Sequence, residues 1–301
     1  MKLMLIPAGT FSMGLSAQEL EKLLAVEKKL AGFYLPAGEE LQPQIPGTAQ
    51  QYANAQPTHT VTLTRPFYLA ETETTRANFA DFVNEANYAP VIEGKRKYGT
   101  GWYTPKFLQT PEHPIVRVTW NDAMAFCEWL SKKENQKYRL PTEAEWEFAC
   151  RAGTTTLWSC GDDYTALQDT GNVSDAIRAT IASRYHPRSQ NDSPAGFVLL
   201  DGYLHTAPSR EFHANPFGLH DMHGNVWEWC ADGYDPRYYA TSSPTDPAGA
   251  TSASNRSLRG GSWYTPVRST VSAYRLEMPP ASVTADIGFR VVREINPKPS
   301  P

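Results

Sequence analysis

The residues of this sequence best suited to chemistry are oxygen donors in the second half of the chain, among loops rich in glycine and proline. They are Asn172, Asp175, Asp192, Asp201, Asp221, Asn225 and Glu228. Calcium takes about six to eight oxygen ligands from carboxylates, amides and main-chain carbonyls, and such loops offer all three. The spacing matches no EF-hand, so these residues by themselves favour solvated or turn-capping side chains over a calcium site.

Four histidines in the same half invite a transition-metal interpretation. They are His205, His213, His220 and His223. The His220-x-x-His223 pair lies in a turn-like segment between two glycines, where this spacing does not force both imidazoles onto one face. No carboxylate is marked as the third ligand of a facial triad, so the pattern argues against such a site.

Nucleophilic catalysis has no complete signature either. Ser262 follows Gly260-Gly261, but the segment is not GxSxG, and no base precedes it at short range. The four cysteines are Cys127, Cys150, Cys160 and Cys230. They form neither a CxxC motif nor a zinc pattern, so buried or unpaired thiols are predicted.

Composition narrows the class of protein. The 301 residues are 41% hydrophobic and 12% aromatic, which is typical of a folded globular chain and not of a disordered one. The net charge of -4 provides no overall positive field, so nucleic acid is not an expected partner. No window approaches the roughly 20 apolar residues of a membrane span, and no leader is visible, so a cytoplasmic protein is expected.

The elements that must position these residues are predicted mainly in the first half. Helices are expected from Ser16 to about Lys29, over 73–86, over 121–133 and from Thr142 to Ala149. Ser16 with Glu19 and Thr142 with Glu145 have the spacing of capping boxes. Thr74 or Thr75 is expected to cap the second helix, and Asn121 or Asp122 the third.

Strands are predicted in short segments around these helices. Residues 3–13 suggest a hairpin, and further strands are expected at 58–63, 115–118, 226–229, 258–263 and 287–292. The two ends of the chain, 1–13 and 287–293, are expected to pair. We expect one domain over residues 1–301, in which residues 15–56 are an insertion of one helix and an extended loop.

An acidic cluster at the start of the fourth helix resembles a catalytic group. Glu143, Glu145 and Glu147 alternate there, but carboxylates near a helix N-terminus complement the helix dipole and its caps. A structural role is therefore favoured over catalysis.

Six segments, taken in order, point to a known family. They are 6–14 (IPAGTFSMG), 113–120 (HPIVRVTW), 139–147 (RLPTEAEWE), 218–229 (GLHDMHGNVWEW), 259–263 (RGGSW) and 287–290 (IGFR). Together they resemble the formylglycine-generating enzyme, or sulfatase-modifying factor, family. The resemblance covers nearly the whole chain outside the insertion. It implies a C-type-lectin-like α+β fold, loop-rich with small antiparallel sheets and a few helices, and bound calcium.

The resemblance also assigns calcium ligands. The first set is Asn172 and Asp201 through their side chains, with the carbonyls of Val173 and Tyr203. The second set is Asp221 and Glu228, with the carbonyls of Gly224 and Val226. Both sets contain only oxygen, which agrees with the donors found from the residues themselves.

The sequence departs from the family at the positions of the catalytic cysteines of the oxidases. In those enzymes two cysteines, third and eighth after the serine of the GGS motif, hold copper; here these positions are Thr265 and Thr270. A hydroxyl cannot replace the soft, anionic sulfur that Cu(I) requires, so no catalytic residues of that kind are expected.

The family's disulfides are not expected either. Their first partners match Cys127 and Cys150, but the matching second positions are Val291 and Leu276. This fits a reducing compartment or bacterial divergence.

Two functions remain open at this stage. The first is an accessory or binding module that takes a peptide, protein or small molecule in a C-terminal groove, since aromatic side chains and arginine suit recognition. The groove residues are Trp227, Ser262, Trp263, Tyr264, Thr265, Thr270, Tyr274 and Arg275.

The second is a divergent oxidoreductase, similar to family relatives in pyoverdine maturation, that acts through His205, His213 or Tyr274. Relatives in ergothioneine synthesis hold iron partly through a helical domain, which this sequence does not show. A redox metal would distinguish the two functions.

Overall fold

Short elements joined by long loops make up the described part of the chain. The computed structural model describes residues 1–31, 52–90, 101–173 and 201–295. The α-helices there are α1 (Ala17–Ala31), α2 (Arg76–Ala86), α3 (Trp120–Glu134) and α4 (Glu143–Arg151). The strands are β1 (Leu3–Ile6), β2 (Gly9–Met13), β3 (His59–Leu63), β4 (Phe67–Ala70), β5 (Tyr138–Arg139), β6 (Trp227–Gly233), β7 (Arg256–Arg259), β8 (Leu276–Met278), β9 (Ile287–Gly288) and β10 (Val292–Glu294). The predicted α+β class is confirmed.

Three small sheets carry these strands. Their orders are β1-β4-β10-β5, β2-β3 and β8-β7-β6-β9, and only β6 and β9 pair in parallel. The predicted hairpin over residues 3–13 is wrong, because β1 pairs with β4 and β2 pairs with β3. The two ends of the chain do share a sheet, but β4 lies between β1 and β10.

Local capping signals set the helix starts. Ser16 and Glu19 form the predicted reciprocal bonds at 3.1 and 2.8 Å, and Thr142 with Glu145 forms the second capping box. Thr75 caps α2. The expected cap of α3 was wrong: Thr119 is the N-cap, and Asp122 is the third residue of its capping box.

The segment 115–118 is not a strand. Arg117 has φ +61°, in the left-handed region, which interrupts extended structure at that point. The apolar residues of this segment, Ile115, Val116 and Val118, are nevertheless fully buried. Their pattern in the sequence therefore indicated burial and not strand pairing.

The described part of residues 15–56, the segment predicted to be an insertion, packs onto the C-terminal half of the chain. Leu23 and Leu30 of α1 and Tyr52 share an apolar cluster with Trp158 and Val267. Val267 begins a short 3-10 helix, Val267–Thr270, so α1 supports the segment that contains Thr270. The extended loop predicted from Tyr34 lies mostly outside the described residues.

No helix within the described ranges is long and apolar enough to cross a membrane.

Candidate functional site

The segment that follows Gly260-Gly261 is held by its own hydroxyls. Thr265 Oγ1 accepts from the Ser262 N–H at 2.8 Å and donates to the Ser262 carbonyl at 3.1 Å. Ser262 Oγ donates to Asp286 Oδ2 at 2.9 Å. Thr265 and Ser262 therefore fix a turn through bonds that a cysteine thiol would make only weakly.

Thr270 is buried in a second set of bonds. Its Oγ1 accepts from Trp158 Nε1 at 3.0 Å and donates to the Val267 carbonyl at 2.8 Å. Both Thr270 and Trp158 have no solvent exposure. Neither Thr265 nor Thr270 offers a metal-binding sulfur, so the residues present at these two positions do not fit copper.

An aromatic surface lies beside this segment. It consists of Phe107, His205, Trp263 and Tyr264. The His205 ring stacks on Phe107 with centroids 4.5 Å apart and meets Trp263 at 4.7 Å, and Trp263 meets Tyr264 at 5.5 Å. Tyr264 is 50% exposed, whereas Trp263 is 7% exposed. The sequence analysis missed Phe107, since nothing in its local pattern places it near residue 263.

The other predicted groove residues are mostly interior. Trp227, Ser262 and Thr270 are buried. Tyr274 is half-buried, with its ring 5.9 Å from both Tyr52 and Trp227. Of the predicted set, only Tyr264, Thr265 and Tyr274 have side chains that are more than slightly exposed.

Arg275 corrects the predicted groove. It is 2% exposed, and its guanidinium donates to both carboxylate oxygens of Glu143 at 2.9 and 2.8 Å. It also packs over the rings of Tyr234 and Tyr239. Arg275 is therefore an interior ion-pair partner and does not line a ligand groove.

The first predicted oxygen set is brought together. Asp201 accepts from the N–H groups of Val173 and Tyr203, both at 2.9 Å, which holds the two segments side by side. Asn172 is fully buried and donates through Nδ2 to the His205 carbonyl at 2.7 Å. Its Oδ1 has no hydrogen-bond partner in the described part of the chain. A buried amide oxygen without a donor fits a cation ligand.

The second set differs from the prediction in one ligand. Both carboxylate oxygens of Glu228 accept from Arg290, at 2.6 and 2.7 Å, and Oε2 also accepts from Trp146 Nε1 at 2.8 Å. Asp221, by contrast, is 1% exposed, and its Oδ1 has no partner among the described residues. Asp221 therefore fits a cation ligand better than Glu228 does.

Glu73 joins this second cluster, although the sequence analysis missed it. It is 1% exposed, and its Oε1 is also unpartnered within the described ranges. Its Oε2 accepts from Asn225 at 3.4 Å. Burial, with a further contribution from Asp221, raises the pKa of Glu73 well above its usual value, and burial raises the pKa of Asp221 to about 6. A divalent cation would relieve the same crowding of negative charge.

The backbone at Gly224 is shaped by close contact with the first set. Gly224 has φ +90°, and a Cβ there would lie 2.0 Å from the Asn172 carbonyl oxygen. Only glycine permits this approach. It brings Gly224, of the second predicted calcium set, into contact with Asn172, of the first set. Asp175 and Asp192 lie outside the described residues.

The histidines do not converge on a metal. Among the described residues there is no group of three or more His, Cys, Asp or Glu side chains placed to hold one. His220 bonds the Phe212 carbonyl, His213 is exposed, and His205 belongs to the aromatic surface. His223 is buried, and burial lowers its pKa to about 4, so its imidazole is neutral at ordinary pH.

The acidic cluster of α4 is structural. Glu145 closes the capping box, Glu143 pairs with Arg275, and Glu147 pairs with Arg259 and Arg151.

The four cysteines are free. Cys127 lies in the same apolar cluster as Val291, the position predicted to match its disulfide partner in the family.

Comparisons with known proteins define the class. Residues 1–295 match the sulfatase-modifying factor enzyme 1-like domain. The formylglycine-generating enzyme of Streptomyces coelicolor is 32% identical over 298 residues, which cover 86% of this chain and 88% of that protein. That of Mycobacterium tuberculosis is 30% identical, over 82% of this chain and 94% of that protein. This is a protein of the formylglycine-generating-enzyme type.

Solved structures support the same class. PvdO from Pseudomonas aeruginosa is 26% identical, with a TM-score of 0.71, covering 97% of this chain and 94% of that one. Treponema denticola variable protein 1 shares the fold, with a TM-score of 0.65 at 22% identity. The chain belongs to the sulfatase-modifying factor enzyme 1-like family.

Proposed function

We propose that this protein is a family member without copper chemistry: a calcium-stabilised module that binds a peptide, protein or small molecule at its aromatic surface. The observation that carries this proposal is the state of Thr265 and Thr270. Both hydroxyls are used in internal hydrogen bonds, and neither can supply a thiolate.

The aromatic surface supports the binding role. Tyr264 is 50% exposed and packs against Trp263, and the rings of Phe107 and His205 pack against Trp263 in turn. Leu108, which follows Phe107 in the chain, is 96% exposed. Rigid aromatic side chains give large contact areas at low entropic cost and are frequent anchors of binding surfaces.

The calcium role rests on the oxygen clusters. Asn172, Asp201, Asp221 and Glu73 would hold the ions, together with main-chain carbonyls of the same loops. Calcium would supply positive charge where three buried oxygens have no hydrogen-bond donor among the described residues. The chain's own contribution is to keep these oxygens buried and oriented.

Free thiols are typical of proteins in a reducing compartment, which supports a proposal that the protein acts in the cytoplasm.

Metal content tests the proposal. Protein purified without chelator is analysed by elemental mass spectrometry, and calcium at about one or two atoms per chain is expected. Loss of this calcium should lower the melting temperature, since a ligand that binds only the native state stabilises it. The variant N172A should bind less calcium, while K132M, at an exposed position on α3, serves as the control. Calcium-free protein with an unchanged melting temperature would contradict the calcium role.

Ligand binding is tested separately at the aromatic surface. Y264A removes a ring that is half exposed, so the fold should be kept while capture from a peptide library is lost. Y103A, at another exposed aromatic, is the matched control. Equal capture by both variants would refute the assignment of the surface.

The alternative is a divergent oxidoreductase, and the similarity to PvdO over 97% of the chain favours keeping it. In that case stoichiometric iron or copper would be found, and His205, His213 or Tyr274 would be required for its binding. The T265C/T270C double variant adds a further distinction. If it bound Cu(I) and oxidised a sulfatase-motif peptide, the site would be a degenerate oxidase site rather than a remodelled one.

A further inference from the structure

A cleft that shares no residue with the aromatic surface or with the oxygen clusters lies beside the link between β3 and β4. It has a volume of ≈ 370 Å³, which falls in the range of about 300–1,000 Å³ that is typical of small-molecule sites. Its walls come from that link, from β5, from the start of α4 and from residues 246–247 and 294–295. Segments that are distant in the sequence therefore meet around this cleft.

Most of the charged groups in the cleft neutralise one another. Arg139 donates to both carboxylate oxygens of Glu145, at 2.6 Å each, and through Nε to Glu294 at 2.8 Å. Lys137 pairs with the same oxygen of Glu294 at 2.9 Å. The two cations therefore balance the two carboxylates, and all four side chains are committed to each other.

One further cation and one further carboxylate line the cleft without an ion-pair partner. Arg65 is exposed, and in the described part of the chain its guanidinium makes no hydrogen bond or ion pair. Asp246 is also exposed, and among the described residues its carboxylate accepts only from the N–H of Thr64, at 2.8 Å, and from the Thr64 hydroxyl. An ionised carboxylate offers about four acceptor positions, so about two remain on Asp246.

The main chain fixes the positions from which these two charged side chains extend. Asp246 donates its N–H to the Thr62 carbonyl at 3.0 Å, and Thr62 donates to the Pro244 carbonyl at 2.8 Å, so this segment is held along β3. Arg65 lies in a link of three residues, 64–66, between two paired strands. Pro66 restricts the backbone of this link further. Such preorganisation lowers the entropic cost of binding a ligand.

Apolar side chains complete the lining of the cleft. They are Leu63, Pro66, Phe67, Pro247 and Ile295. Ile295 is exposed, so a ligand with an apolar portion would remove apolar surface from water here.

We propose that this cleft binds a zwitterion with an apolar side chain, of the class of an α-amino acid. The ligand carboxylate accepts from Arg65, whose planar guanidinium can hold it through two N–H groups. The ligand ammonium donates to Asp246. Three cations and three carboxylates line the cleft, so a ligand without net charge leaves the balance unchanged, whereas a phosphate would add negative charge beside the carboxylates.

Fluorine NMR on the whole chain tests this proposal, with L-para-fluorophenylalanine as the probe. Its dissociation constant should be about 1 mM or lower, because two charge-assisted hydrogen bonds form. Two analogues that each lack one charge are the ligand controls: para-fluorophenylpropanoate has no ammonium, and para-fluorophenethylamine has no carboxylate. Each should bind about tenfold more weakly, the effect of one hydrogen bond to a charged group.

Charge variants locate the binding. R65M and D246N should each weaken binding of the probe about tenfold, since each removes one of the two charged partners. D246N keeps the shape of the side chain and an acceptor for the Thr64 N–H. The matched controls are R237M and D81N, at an exposed arginine and an exposed aspartate outside the cleft, which should bind the probe as the wild type does. The circular dichroism spectrum checks that each variant folds.

A loss of binding confined to R65M and D246N assigns the probe to this cleft and not to the aromatic surface, which contains neither residue. The proposal would be overturned if the wild type did not bind the probe at about 1 mM. It would also be overturned if either analogue bound as tightly as the amino acid, or if R65M or D246N bound the probe as tightly as its matched control.

Discussion

The hydrogen bond between the Trp158 indole and the Thr270 hydroxyl tests whether Thr270 has a structural role. The change is T270V, which keeps the shape of the side chain and removes both hydrogen bonds of its hydroxyl. The Trp158 N–H would then be left without a partner, and neither residue has any solvent exposure. An unsatisfied buried donor costs about 1–3 kcal/mol, so T270V should lower the free energy of unfolding by that amount.

A double-mutant cycle isolates this contribution. W158F removes the indole N–H, so T270V should cost less in that background by about 1–2 kcal/mol. T270S keeps the hydroxyl and loses one methyl group, which packs beside Gly261. It should therefore cost only about 1 kcal/mol and keep the coupling to Trp158.

Urea unfolding followed by far-UV circular dichroism measures these differences, because tryptophan fluorescence would itself change in W158F. If the T270V and W158F effects were additive, the Thr270 hydroxyl would have no stabilising coupling to the Trp158 indole. The argument that Thr270 is committed to structure would then be refuted.

Three further changes test the interior of the fold. Burial raises the pKa of Asp232 from its usual value of 3.8 to about 8, so unfolding releases a proton between these pH values and native stability falls as the pH rises. D232N should therefore gain stability over the wild type from pH 4 to pH 8, by at most about 1.4 kcal/mol per pH unit in urea unfolding. R259M leaves Glu147 buried without one of its partners and should cost about 3–5 kcal/mol in the same assay. G224A forces a Cβ against the Asn172 carbonyl and should cost more than the roughly 1–3 kcal/mol of backbone strain alone, as measured by the melting temperature.

Each of these changes has a control in the chain. K132M breaks an exposed ion pair with Glu128 and should cost less than about 1 kcal/mol, so an equal loss in R259M would contradict the buried-pair argument. Gly153 has φ +89°, and a Cβ added there would meet no atom within 4 Å. The variant G153A therefore measures the cost of the backbone strain without the steric clash. For Asp232, a stability difference that does not change with pH would show that its carboxyl is ionised in the native state.

Local signals in the sequence determined the helices. The capping boxes at Ser16 and Thr142 formed as predicted, because each needs only residues three positions apart. The start of α3 shows the limit of this reasoning: Thr119, Asn121 and Asp122 are all residue types that can cap a helix, and Thr119 is the N-cap.

The family motifs and the change of two cysteines to Thr265 and Thr270 were also readable without the structure, since they depend only on residue type and order. The oxygen-rich segments 172–173 and 221–228 were found in the same way. Their approach to one another was not visible, because it depends on the main chain of Gly224 meeting that of Asn172.

Only the tertiary structure decided what each polar side chain faces. Arg275 was expected in a binding groove, but Glu143, 132 positions away in the chain, holds it in the interior. Glu73 had no local pattern that suggested a site, and its importance comes from burial beside Asp221. The sequence by itself determines which chemical groups are present and where the local turns and caps form. The burial of a side chain and its hydrogen-bond and ion-pair partners depend on contacts between distant segments, and a local sequence pattern does not predict those contacts.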